Sequence, residues 1–288
     1  MNLRALSTCA LLAAAAPAGA ETFYACDTII DSVPVTISTQ GVYCLTHDVG
    51  TAVASGAAIT ITANNVTLDC NGYKIGGLGA GIGTDAYGVR ATDRLNTTVR
   101  RCSIRGFHRA IALDGTHASG GVIEDNRIDQ SRGIGIYATG EGHTIRRNLI
   151  SETGGDIDSV AAGIRCAGNL HDISDNDIHH VFAASASGFA TTVVGISLGN
   201  GKGSVVRGNR LQRLLRGGTG SAYGIDAIGQ QASIEGNSLA LDNDAAAAAG
   251  YGVWGDIKTA CRDNLVSGWN MPLQGCTVSL DNVVDPPP

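Results

Sequence analysis

From Val122 onward the chain repeats one arrangement of apolar and polar positions: an aliphatic residue, two polar ones, an Asn, any residue, and a second aliphatic. It is spelled VIEDNRI, TIRRNLI, DISDNDI, VVRGNRL, SIEGNSL and ACRDNLV, which places Asn at 126, 148, 176, 209, 237 and 264, with Asn282 a looser last copy. Cys102, in VRRCSI, holds the same place one turn earlier. A second phrase runs in step with the first, a Gly or Ala followed by an aliphatic. It reads YGVRA, RAIAL, GIGIYA, AGIRC, VGISL, YGIDA and YGVWG.

Apolar residues alternate within these phrases and Gly interrupts nearly every one, so the elements are short strands and helix is disfavoured. The Asn copies are spaced irregularly, 22 to 33 residues apart. That range indicates a solenoid whose insertions fall in loops. Each coil then holds three strands: one on the Gly-aliphatic phrase, one ending just before the Asn, one starting just after it. The Asn is read as the corner residue between the second and third strands, because Asn tolerates a left-handed backbone. Stacked about 4.8 Å apart, successive amides would bond along the stack. The expectation is an all-β, right-handed parallel β-helix of eight or nine coils over residues 21–280.

Composition agrees: 40 Gly, six Pro and only 5% aromatic residues suit many tight turns joining short strands. Residues 1–20, with Arg4, an apolar stretch at Ala10–Ala16 and Ala18-Gly19-Ala20, read as a signal peptide for a secreted or periplasmic protein. Residues 281–288 read as a Pro-rich tail. A net charge of −6 argues against nucleic acid or an anionic membrane as partner. No continuous apolar run approaches membrane-spanning length. The expected chain is monomeric. Seven cysteines follow the leader. The near pairs Cys26/Cys44 and Cys261/Cys276 suit disulfides in an oxidising compartment. Cys70 and Cys102 either pair or stack as core residues, and Cys166 is left as a buried thiol.

The opening coil, Cys26…Cys44 followed by ITITANNVTLDCNGYKIGG at Ile59–Gly77, resembles the N-terminal coil of secreted right-handed parallel β-helix proteins, the pectin-lyase-like superfamily. The likeness spans nearly the whole mature chain. It implies that carbohydrate lies along the first-strand sheet, beside the loops that lead into it. This fold hosts lyases, hydrolases, epimerases, binding proteins and adhesins, so it does not choose among them.

Counting one residue past each aliphatic of the Gly phrase gives an outward column: Arg90, Ala112, Tyr137, Arg165, Ser197, Asp226 and Trp254. Two positions further come Thr92, Asp114, Thr139, Ala167, Gly199, Ile228 and Asp256. The Gly before each aliphatic is read as leaving a shallow trough. Tyr137 and Trp254 are scarce aromatics suited to stacking on sugar rings. Arg90 and Arg165 suit uronate carboxylates. Asp114, Ser197 and Asp256 complete a polysaccharide- or oligosaccharide-binding set. By the resemblance, a β-eliminating lyase would use Arg165, then Arg90, as base, with Ca²⁺ as an allowed cofactor. A hydrolase would need Asp226 and Asp256 at paired-carboxylate spacing. The polygalacturonase-like NTD…DD…GHG…RIK pattern, the pectate lyases' paired Arg and the mannuronan epimerases' DPHD are all absent. The alternative is a non-catalytic carbohydrate-binding or cell-surface protein. His179-His180 fall on opposite faces of a strand, the acidic stretches at Asp156 and Asp242–Asp244 lack EF-hand spacing, and two Met without a His/Met cluster disfavour copper.

Overall fold

The computed structural model describes residues 26–156, 160–184, 192–241 and 250–285. Every pairing between strands is parallel, and each strand bonds to the matching strand one coil below and one above. The chain therefore winds as a parallel β-helix. Third strands alone form a ten-stranded sheet among the described residues. That is one or two coils more than expected, because the first rungs, such as Val49–Gly50 and Lys74–Gly76, lack the Asn phrase that was counted.

Like residues stack on like residues through the core. The first strands contribute Val89, Ile111, Ile136, Ile164, Ile196 and Ile225, in register from rung to rung and fully buried. The third strands contribute Ile104, Ile128, Ile150, Ile178 and Leu211, likewise paired and buried. Burying each such side chain contributes about 1.5–3 kcal/mol. The aliphatics of the repeated phrases are thus the core itself, which is why the phrase must recur.

The Asn ladder is present, with one correction. Asn126 Nδ2 donates to Asn148 Oδ1 at 3.0 Å, Asn148 to Asn176 at 3.0 Å, Asn176 to Asn209 at 2.9 Å, and the chain continues through Asn237 and Asn264 to Asn282. The left-handed residue is not the Asn but the one before it: Asp125, Arg147, Asp175, Gly208, Gly236 and Asp263 all have φ between 54° and 63° or, for Arg147, 52°. With the preceding residue taking the bend, the Asn side chain turns inward, only 1% exposed, where water cannot satisfy its amide. Its neighbours in the stack do so instead.

A second polar column lines another corner. His143 and His171 stack with ring centroids 5.4 Å apart, both 1% exposed. His143 Nδ1 accepts the Gly121 N–H at 3.0 Å, and His171 Nδ1 accepts the His143 N–H at 3.4 Å. The column continues to Ser204 and Gln230, whose Nε2 donates to the Ser204 hydroxyl at 3.0 Å.

Three disulfides join Cys26–Cys44, Cys70–Cys102 and Cys261–Cys276, and Cys166 is buried and free. The expected pairs are present, and the open question of Cys70 and Cys102 resolves as a bond between adjacent rungs. The C-terminal boundary moves: Asn282 closes the amide ladder and Val283–Asp285 pairs with Leu265–Ser267. Residues 281–285, read as the start of a Pro-rich tail, are therefore the last rung. The leader at 1–20 and residues 286–288 lie outside the described residues. Among the described residues no helix is long and apolar enough to cross a membrane.

Candidate functional site

The outward column runs in unbroken register up the first-strand sheet. Thr60 pairs with Arg90, Arg90 with Ala112, Ala112 with Tyr137, Tyr137 with Arg165, Arg165 with Ser197, Ser197 with Asp226, and Asp226 with Trp254. Arg90, Tyr137, Arg165, Ser197, Asp226 and Trp254 thus share one face. Asp114 stands beside Thr92 on the parallel row, and Asp256 lies two residues past Trp254 on its strand.

The trough expected beside this column is not there. A Cβ built on Gly135 would meet Ile150 Cγ2 at 2.8 Å and Gly163 O at 2.6 Å, and one on Gly195 would meet Leu211 Cδ2 at 2.2 Å. These glycines face the core, where third-strand aliphatics need the room. The residue before each Gly faces outward instead. Ile134, Ala162 and Val194 form an apolar cluster of their own, packed by Tyr137, Val160 and Tyr223. Sequence reasoning missed this row, though it is legible as the position two before each core aliphatic.

The lower end of the face is tied up in its own contacts. Arg90 Nη2 donates to Asp114 Oδ2 at 3.1 Å, and the Thr92 hydroxyl donates to the other carboxylate oxygen. The Arg90 guanidinium lies 4.6 Å from the Tyr87 ring centroid. Arg109 is set 4.6 Å from the Tyr137 ring and donates to the Tyr87 hydroxyl at 3.1 Å. One face of Tyr137 is therefore covered by a cation.

The upper half is different. Arg165 is exposed and makes no hydrogen bond among the described residues; its charge acts on Asp226. Burial pushes the Asp226 carboxyl above the usual carboxylate range, opposed by the Ile228 N–H it accepts at 3.3 Å and by Arg165. Trp254 stacks on Tyr223 at 4.7 Å and on Tyr251 at 5.0 Å, and the two tyrosines stack on each other at 5.2 Å. This three-ring platform was half seen from the sequence; Tyr223 and Tyr251 stand in the missed outward row. Asp256 has both oxygens engaged, accepting Gly229 N–H at 3.1 Å and Lys258 N–H at 2.9 Å. It braces turns.

Among the described residues no group of three His, Cys, Asp or Glu side chains is placed to hold a metal. Asp156 sits 2.8 Å from His108 Nε2, while the rest of its acidic stretch, 157–159, and Asp242–Asp244 lie outside the described residues. His179 and His180 face Asp177 and Glu152 separately, at 3.7 and 2.6 Å.

The fold and its repeat place the chain among right-handed parallel β-helix proteins. The family model described as periplasmic copper-binding protein (NosD) matches residues 26–268, and the chain belongs to that family. No curated protein matches. Solved structures that resemble it are distant. They include the mannuronan C-5 epimerase AlgE6 A-module of Azotobacter vinelandii, 13% identical with TM-score 0.43 over 88% of this chain and 84% of that one. The catalytic domain of a GH87 alpha-1,3-glucanase in complex with nigerose is 10% identical, TM-score 0.48, over 88% and 59%. PfbA, a surface adhesin of Streptococcus pneumoniae, is 14% identical, TM-score 0.47, over 86% and 62%.

The donors among the described residues do not fit the copper of the family's description. Burial pushes the Cys166 thiol well above its usual range, against the thiolate a metal requires. His143 and His171 spend their Nδ1 atoms on backbone N–H groups inside the corner column. Met271 lies on the last rung, with no metal-holding cluster among the described residues.

Proposed function

We propose that the protein recognises a polysaccharide lying along the outward column of the first-strand sheet, in the periplasm or outside the cell. The observation that carries this is the open stretch Arg165–Ser197–Asp226, in register directly beneath the Trp254–Tyr223–Tyr251 platform. An aromatic platform holds the apolar face of a sugar ring, and neighbouring charged and hydroxyl groups select its substituents. Three disulfides and the family's periplasmic description support the compartment. The expected acting form is a monomer, since one chain carries the whole column.

A second reading, cleavage by β-elimination, is favoured over hydrolysis. Asp256 is committed to backbone N–H groups, so among the described residues Asp226 has no free carboxylate partner on this face. Asp226, its proton affinity raised by burial, suits an acid that delivers a proton to the leaving oxygen, while Arg165 would neutralise a uronate carboxylate or, once its guanidinium has given up a proton, take the adjacent one. Ca²⁺ would have to bridge protein and uronate, since the protein alone supplies no cluster among the described residues.

Binding across a panel of neutral and acidic glycans, by calorimetry, tests the first reading. Absorbance of unsaturated ends, with and without Ca²⁺ and in Arg165→Ala, tests the second. Absence of binding to every glycan sinks both, and binding without product leaves a non-catalytic binder.

A further inference from the structure

Below the column, one rung under Arg90, the same sheet carries a recess of about 240 Å³ lined by Gly56, Ala57, Thr60, Thr62, Arg90 and Arg94 among others. Its walls are unlike the rest of the face. Arg94 is held rigidly by the backbone: Nε donates to Thr92 O at 2.8 Å and Nη1 to Thr62 O at 2.8 Å. Those acceptors are neutral, so its charge is uncompensated by them, and Nη2 is uncommitted among the described residues. Arg90 is oriented by Asp114 through one Nη group, and its Nε is buried without a hydrogen-bond partner. The Thr60 side chain, in register with Arg90, makes no hydrogen bond among the described residues.

We propose that this recess is a subsite for one anionic sugar residue, its carboxylate received by Arg94, Arg90 and the Thr60 hydroxyl. Guanidinium groups match a planar carboxylate by paired, charge-assisted hydrogen bonds. Asp114 cancels about half of the local positive charge, which suits a single negative charge better than a dianion. The recess opens onto the first-strand sheet, so the acidic residue would lie over the protein's N-terminal rungs while the Trp254 platform takes a neutral ring toward the other end of the bound glycan. The inference deepens, and rests on, the reading of this sheet as a glycan face.

The test is calorimetric titration of the full chain with methyl glucuronoside, methyl glucoside and glucose 6-sulfate, alongside neutral and uronate oligosaccharides. The expected result is binding of the glucuronoside alone among the three, weakened about tenfold or more in Arg94→Ala and in Thr60→Val, and reduced by salt. Unchanged melting temperatures confirm that the variants fold. No glucuronoside binding, binding indifferent to Arg94→Ala and Thr60→Val, or preference for the sulfate ester overturns the subsite. Neutral oligosaccharide binding that is lost in Trp254→Ala, with no uronate preference, removes the subsite and keeps the glycan face. Glucuronoside binding with no oligosaccharide binding keeps the subsite and removes the face.

Discussion

Asn148 and Asn176 make two hydrogen bonds through one atom: Asn176 Oδ1 accepts both the side-chain Nδ2 and the backbone N–H of Asn148, each at 3.0 Å. The same oxygen thus fixes the corner's backbone and its side chain, and the unit repeats up the solenoid. Asn176→Leu would leave the buried Asn148 backbone N–H without its acceptor, while Asn148 Nδ2 keeps Ile123 O and Arg146 O. It is expected to cost about 2–4 kcal/mol, about 1–3 kcal/mol for the orphaned N–H and about 1 kcal/mol for the lost amide bonds of Asn176 itself. Asn282, at the end of the ladder and partly exposed, should cost about 1 kcal/mol when changed to Ala. Urea unfolding of the two variants checks the ratio; equal effects would show that the ladder is not the source.

Acid should weaken the fold through the imidazole pair. Burial lowers the His171 pKa from 6.5 to about 4, with the neighbouring His143 adding to the effect, and burial lowers His143 as well. Both are neutral when folded and take up protons more readily when unfolded. Stability is therefore whole above pH 6.5 and declines as pH falls toward 4, by about 3 kcal/mol for His171. His171→Asn, which keeps an acceptor for the His143 N–H, should flatten that decline. A second loss belongs lower: burial raises the Asp69 pKa, but the hydrogen bonds from Arg101 and the Asn71 N–H and the charges of Arg101 and Arg100 lower it on balance from 3.8, so it gives up stability only below that value. Melting temperatures between pH 7 and 3 separate the two windows.

Removing Trp254 should cost ligand affinity without costing the fold. Its ring lies on Tyr223 and Tyr251 outside the core, so Trp254→Ala is expected to weaken glycan binding about tenfold or more and shift stability by no more than about 1.5 kcal/mol. Arg165→Ala should weaken acidic glycans selectively. Calorimetry on neutral and acidic oligomers distinguishes them.

The Cys70–Cys102 bond closes a span of 32 residues between neighbouring rungs. Replacing both with Ser should lower stability by about 3–4 kcal/mol in the chain-entropy picture. Cys166 sits in the core between Ala138 and Leu198 of adjacent rungs, so it should resist alkylation until the protein is unfolded. Rapid labelling of the native protein would show that the core opens.

Much of the architecture could be read directly from residue order. An aliphatic repeated at the same offset from an Asn can bury itself only by stacking on its own copies, and that demand specifies a coiled, parallel ribbon. The outward column from Arg90 to Trp254 followed from the same counting. The errors came where counting has no access to direction. The bend was assigned to Asn126 and its equivalents because Asn is the recognisable residue; Asp125, Arg147 and Asp175 take the left-handed backbone so that the amides can turn inward. Gly135 and Gly195 looked like gaps in the outer surface, yet their missing side chains make room for Ile150 and Leu211 on the inside.

The candidate site divides in the same way. That Arg90, Tyr137, Arg165, Asp226 and Trp254 lie on one face is a consequence of period and alternation, both properties of the chain alone. Which of them stay open is mostly a consequence of contacts between rungs more than twenty residues apart. Asp114 takes Arg90, Arg109 covers Tyr137, and the backbone amides of Gly229 and Lys258 take Asp256. Arg165 keeps its charge exposed, and Asp226 loses enough water for its pKa to rise. Residue order decided what stacks on what, because burial rewards any matching repeat; the folded coil decided which groups remain unspent, because hydrogen bonds and desolvation depend on distances that only the finished stack defines.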